Sequence, residues 1–271
     1  CAPDERHILI VTDTSGGSLE ENGILPTGSA TIMPALAEIW FADYRRHVFD
    51  HRDSLAIPRA MLDCASAVVW LTTGSGVEGD NTYVQITRGR GGDLDGYVSA
   101  GGHLLFLGTS PTASAAYQIT RRGNARPVQF PVILAEEAPD SNYLTHWMRT
   151  ALGVGRVERT VGNTFGSGSA ADRLTVARAA VPGYPDLAFD RLTWPSGPAQ
   201  RGFGFYDEGV EPVPGRAEVI YTRDDTGQSL GVRTLDGRGV FLGFHPYFVE
   251  RGAFQELIHA VMADFGVARV R

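Results

Sequence analysis

The chain has 271 residues, 43% of them hydrophobic and 10% aromatic, which suffices to bury the core of one large domain. Its longest apolar run, residues 65–71, is strand-sized and far short of the roughly 20 residues a membrane-spanning helix needs. Net charge is −7 and all 24 basic residues are arginine, which excludes a phosphate-loop lysine, a Schiff base and any catalytic lysine, and the compact basic spots at Arg88–Arg90 and Arg121–Arg122 are too small for a nucleic-acid footprint.

In chain order, Cys1 comes first. A cysteine followed by a small residue and the polar Pro3–Arg6 resembles a bacterial lipoprotein after signal-peptide cleavage. That resemblance implies a lipid on Cys1, with residues 1–6 as a tether and the membrane as a partner. A disulfide to Cys64, the other cysteine, is the alternative, and a simple chain boundary is the third. Lipid or disulfide places the protein outside the cytoplasm, in the periplasm or at the cell surface.

Residues 7–12 form a continuous apolar, β-branched run, as expected of a strand covered on both faces. It ends in Asp13-Thr14-Ser15-Gly16-Gly17. Met33, Leu36, Ala37, Trp40 and Phe41 recur at helical spacing over 33–44. Residues 46–50 are a short candidate strand. Residues 67–72 are a second buried strand, followed by Thr73-Gly74-Ser75-Gly76. A helix over 93–100 stops at Gly101-Gly102, and 103–108 is the third strong strand, with Thr109-Ser110-Pro111 opening the next helix. From about 127 to 236 the pattern changes to a β-rich insertion. It holds a helix at 142–152, a glycine-rich loop at 162–169 and short strands at 173–179, 191–194, 217–222 and 230–234, with Asp224-Asp225 in a hairpin turn. Residues 239–244 return as a core strand. Phe254, Leu257, Ile258, Val261, Met262 and Phe265 then mark a closing helix. Repeated strand, Gly/Ser/Thr turn and helix predict an open parallel α/β sheet with helices on both faces and a β-rich insertion, all within one domain over 7–271.

Several segments resemble class I glutamine amidotransferase-like domains, which are flavodoxin-like. They are Leu94-Asp95-Gly96-Tyr97, Ala100-Gly101-Gly102, the strand 104–108, the strand 67–71 before its Thr-Gly turn, and Phe241–Pro246. Envelope members of this group frequently lack catalytic residues. The resemblance implies that His245 occupies the place of the family's catalytic histidine. It also exposes departures: the turn 108–111 has no cysteine nucleophile, Tyr247 stands where the family has glutamate, and Cys64 precedes its strand. Glutamine hydrolysis by a Cys-His-Glu triad is therefore not expected.

Ser110 and His245 both follow predicted strands at the edge where open α/β sheets bind ligands. With Glu250 they compose a possible Ser-His-Glu hydrolase, although Thr109-Ser110-Pro111 is equally an ordinary helix start. Asp13, Thr14, Ser15 and Gly16, with Thr73, Gly74 and Ser75 on the neighbouring turn, offer an anion cradle, or else only the tight geometry that such turns require. No metal site emerges: His47 and His51 do not share a helical face if 46–50 is a strand, and His103 and His259 read as an edge and a surface residue. No cofactor is implied. The expectation is a non-enzymatic binding or structural module of the cell envelope, working with other envelope proteins. Trp147, Trp194, Tyr184 and Tyr206 are compatible with a contact surface of such a module and equally with its core. The rivals are a hydrolase using Ser110 and His245, and a carbohydrate-binding accessory domain, for which aromatic platforms are expected.

Overall fold

The computed structural model describes residues 1, 6–13, 37–50, 57–72, 93–108, 132–133, 143–165, 174–189, 205–244, 246 and 249–270. Within them lie β1 (His7–Asp13), β2 (Arg46–Asp50), α1 (Arg59–Asp63), β3 (Ala65–Thr72), α2 (Asp93–Ser99) and β4 (Leu104–Gly108). The middle of the chain supplies β5 (Val132–Ile133), α3 (Tyr143–Leu152), β6 (Val154–Phe165), β7 (Val176–Ala179), β8 (Leu187–Ala188) and β9 (Phe205–Pro212). The last part holds β10 (Ala217–Arg223), β11 (Ser229–Thr234), β12 (Gly239–Leu242) and α4 (Arg251–Asp264).

Nine strands make one sheet in the order β2-β1-β3-β4-β12-β11-β10-β7-β8. The first five run parallel: β1 pairs with β2 and β3, β3 with β4, and β4 with β12. The rest continue antiparallel. This is the flavodoxin-like α/β arrangement, with the predicted strands 7–12 and 67–72 adjacent. The middle segment does more than decorate it. Four of its strands extend the sheet, and three others form a second sheet, β5-β6-β9.

Alternation along each strand divides the core in two. Ile8 and Ile10, Val69 and Leu71, Leu105 and Leu107, Val240 and Leu242 face one layer, made by Trp40 and Phe41 and by Phe254, Leu257 and Val261 of α4. Leu9 and Val11, Val68 and Trp70, Leu104 and Phe106, with Phe241, face the other layer, built from α1, α2, α3 and the β6–β9 ribbon. Burial on both faces is why these strands read as unbroken apolar runs rather than alternating ones.

Gly101 and Gly102 have separate reasons for being glycine. Gly101 takes φ +94° at the end of α2, a conformation side chains rarely tolerate. A Cβ on Gly102 would run into the Tyr97 ring. The Tyr97 hydroxyl accepts from the His103 N–H at 3.2 Å and points its own proton toward the Ala65 and His103 carbonyls. Burial pushes its phenol up to about 12, so it remains a donor. The tyrosine thus binds the end of α2 to the starts of β3 and β4.

Two expectations change. The segment 162–169 is a strand as far as Phe165, because Asn163 and Phe165 pair with Tyr206 and Phe205 across two register shifts that absorb the extra residues. His259 is not a surface residue: its Nε2 lies 2.9 Å from Asp43 Oδ2 with the ring 18% exposed. The expected hairpin turn is present, with Asp225 held by Arg223 at 2.7 Å. The strand expected at 191–194 lies outside the described residues.

Candidate functional site

The order of the parallel strands places a topological switch between β1 and β3, since β1 connects to β2 on one side and the chain then crosses to β3 on the other. Open sheets bind ligands at the carboxyl ends flanking such a switch. Asp13 ends β1 there, opposite Thr72 at the end of β3. Thr12 precedes it with 0% exposure, and its hydroxyl has no hydrogen-bond partner among the described residues. A buried hydroxyl of this kind costs free energy unless something satisfies it. The other proposed cradle residues, Thr14, Ser15, Gly16, Thr73, Gly74 and Ser75, lie outside the described residues, as do Ser110 and His245.

Glu250 is described, and its chemistry is accounted for by α4. It is the N-cap, and its two carboxylate oxygens accept from the Gly252 and Ala253 N–H groups at 2.9 and 2.7 Å. Those N–H groups would otherwise be orphaned at the helix start. The two bonds hold its carboxyl below the ordinary 4.5. Glu250 therefore has a structural role as the cap of α4, while His245, which it would orient in a triad, lies outside the described residues.

A different carboxylate lies beside this edge. Glu208 of β9 is 0% exposed, and its N–H donates to the Gly243 carbonyl at 2.7 Å. A Cβ on Gly243 would collide with the Glu208 carbonyl oxygen, so glycine is what lets β9 approach here. Gly243 precedes His245 by two residues. The sequence offered no hint of Glu208, because the pairing that brings β9 to the end of β12 spans more than thirty residues and lies between two sheets.

Two open alternatives are decided among the described residues. Cys1 is bonded to Cys64, with Cα atoms 5.3 Å apart, and a sulfur in a disulfide cannot carry a thioether-linked lipid. Trp147 and Tyr184 are buried, at 3% and 8% exposure, and belong to the two core layers. For these two aromatics the core alternative is the one present. Among the described residues no group of three or more His, Cys, Asp or Glu is placed to hold a metal ion.

The role of Glu250 predicts a measurable acid sensitivity. Its carboxyl is depressed in the folded state, so its contribution is present above about pH 4.5 and is lost as pH falls through the lower folded value. Asp186, bonded to the Ala179 N–H, and Asp225, bonded to Arg223, act with the same sign. Urea melts at pH 7 and pH 3 should show Glu250→Ala costing about 1 kcal/mol at pH 7 and much less at pH 3. An equal cost at both values would show that the charge on the cap is irrelevant.

No family model matches the chain, and no curated protein matches it. Among solved structures, a β-galactosidase of the haloarchaeon Halorubrum lacusprofundi superposes with 14% identity and a TM-score of 0.43, covering 97% of this chain and 31% of the enzyme. This chain therefore spans about a third of that enzyme's length. A Thermoplasma acidophilum protein described as a GMP synthase component gives 11% identity, a TM-score of 0.45 and coverage of 96% and 94%. A ThuA-like protein of Bacteroides uniformis gives 11% identity, a TM-score of 0.47 and coverage of 96% and 91%.

Proposed function

We propose that the chain is a non-enzymatic, extracytoplasmic binding module on a degenerate amidotransferase-like fold, working within a larger envelope assembly. The observation that carries this reading is that Glu250 caps α4, its two carboxylate oxygens engaged by backbone N–H groups rather than by a catalytic partner among the described residues. Pro111 adds to it, because proline removes the N–H immediately after Ser110 that an oxyanion hole would use. The disulfide supports the extracytoplasmic part, since such bonds persist in oxidising compartments. Other envelope proteins are the partners this reading implies.

Glu208 favours a second reading, a hydrolase in which this buried carboxylate orients His245 and His245 activates Ser110. A fluorophosphonate probe separates the two. The binding-module reading expects no covalent labelling at Ser110. Labelling that disappears in His245→Ala and falls at least about tenfold in Glu208→Gln would establish the hydrolase instead.

A further inference from the structure

The amino edge of the parallel strands, opposite the usual ligand edge, also carries a cavity. A cleft of about 760 Å3 opens between the starts of β1, β3 and β4, the ends of α1 and α2, and the segment that follows α4. Arg6, Arg45 and Arg59 line it, and Asp63 is its one lining carboxylate among the described residues. Asp63 Oδ1 accepts from Arg59 Nε at 2.8 Å. It thus offsets one of three guanidinium charges and leaves Arg6 and Arg45 to define the field. Leu62, Phe265 and Val267 supply an apolar wall, where Phe265 stacks on the His103 ring at 5.0 Å between centroids.

Helix carboxyl ends attract cations, and α2 and α4 both end here, which would be a sufficient reason for arginines with no ligand at all. Both ends are already closed by their own chain. The Gly101 and Gly102 N–H groups donate to the Val98 and Tyr97 carbonyls at 2.9 and 3.0 Å, and those of Gly266 and Val267 to Ala263 and Met262 at 3.0 and 2.8 Å. Terminal carbonyls capped in this way make poor partners for the guanidinium groups.

We propose that this amino-edge cleft binds a small organic acid, its carboxylate or phosphate held by Arg6 and Arg45 and its apolar body laid against Leu62, Phe265 and Val267. The planar donor fork of arginine suits both oxyanions. The volume is that of a small-molecule site and far exceeds the needs of a bare inorganic ion. The proposal does not depend on whether the carboxyl edge is catalytic.

Calorimetric titration of the full chain at fixed ionic strength tests it, with benzoate and phenyl phosphate as the two organic arms and inorganic phosphate as the control. Saturable binding of at least one organic anion is expected, about tenfold tighter than inorganic phosphate. The double variant Arg6→Ala/Arg45→Ala, at two exposed positions, should weaken it at least about tenfold. Ala100→Glu, which places a negative charge at the exposed rim, should do the same. Arg178→Ala, an exposed arginine outside the cleft, should leave it unchanged. Absence of saturable binding, or binding undiminished in the double variant and in Ala100→Glu, overturns the proposal. So does binding that emerges only after Asp4→Asn/Glu5→Gln, since the chain's own acidic residues would then be what the arginines serve.

Discussion

Cys64→Ser should lower the unfolding free energy by about 4 kcal/mol, because the bond it removes closes a long loop of the unfolded chain. Cys1 and Cys64 are separated by 63 residues, and β1 and β2 lie between them. The cross-link fixes the entry to β1 against the start of β3, where the His7 N–H donates to the Cys64 carbonyl at 3.2 Å. For a chain of this size the loss corresponds to a fall in melting temperature on the order of 10 °C. The double variant Cys1→Ser/Cys64→Ser should lose no more than the single one, since both delete one bond. Alkylation without reductant, read by intact mass, should find neither thiol free. A free Cys64 together with an acylated Cys1 would restore the lipid-anchor expectation and remove the basis for the stability loss.

A comparable loss is expected at the junction of the sheet's two halves. Phe241 is 0% exposed and stands in register with Phe106 of β4 on one side and Val232 of β11 on the other. Its ring lies 6.2 Å from that of Phe106 at 17°. Phe241→Ala removes a large side chain from a site flanked by paired strands that cannot close inward, so a cost of about 3–5 kcal/mol is expected. Phe241→Leu keeps most of the volume and should cost about 1–2 kcal/mol. Denaturant melts of the two variants check this, and equal small losses would mean that the junction is loosely packed.

The parallel core was legible because it is apolar on both faces. Residues 7–12, 67–72, 103–108 and 239–244 each stand out as unbroken runs, and the glycine pair at 101–102 punctuates a helix for reasons that the Tyr97 ring makes concrete. The antiparallel half was legible as strands but not as members of the same sheet. Nothing in Ala217–Arg223 or Ser229–Thr234 taken alone says which edge it will join. The site was harder still. The capping role of Glu250 is not legible in the sequence, because only three-dimensional geometry shows that it caps the helix that begins one residue later. Glu208 was invisible because its meaning arises from Gly243, a residue far away in sequence that has no side chain of its own.

The position of β12 between β4 and β11 has a consequence for the order of assembly. During synthesis β1, β3 and β4 emerge before β12 and can pair, yet the free edge of β4 has to wait for residues 239–242. Until then it presents unpaired backbone and apolar side chains, the template for pairing with another chain. Pairings this distant in sequence form slowly. The nascent protein is thus exposed to aggregation while residues 109–238 are being made, and a holding chaperone that shields the β4 edge should raise its yield more than one that acts only after β12 has paired.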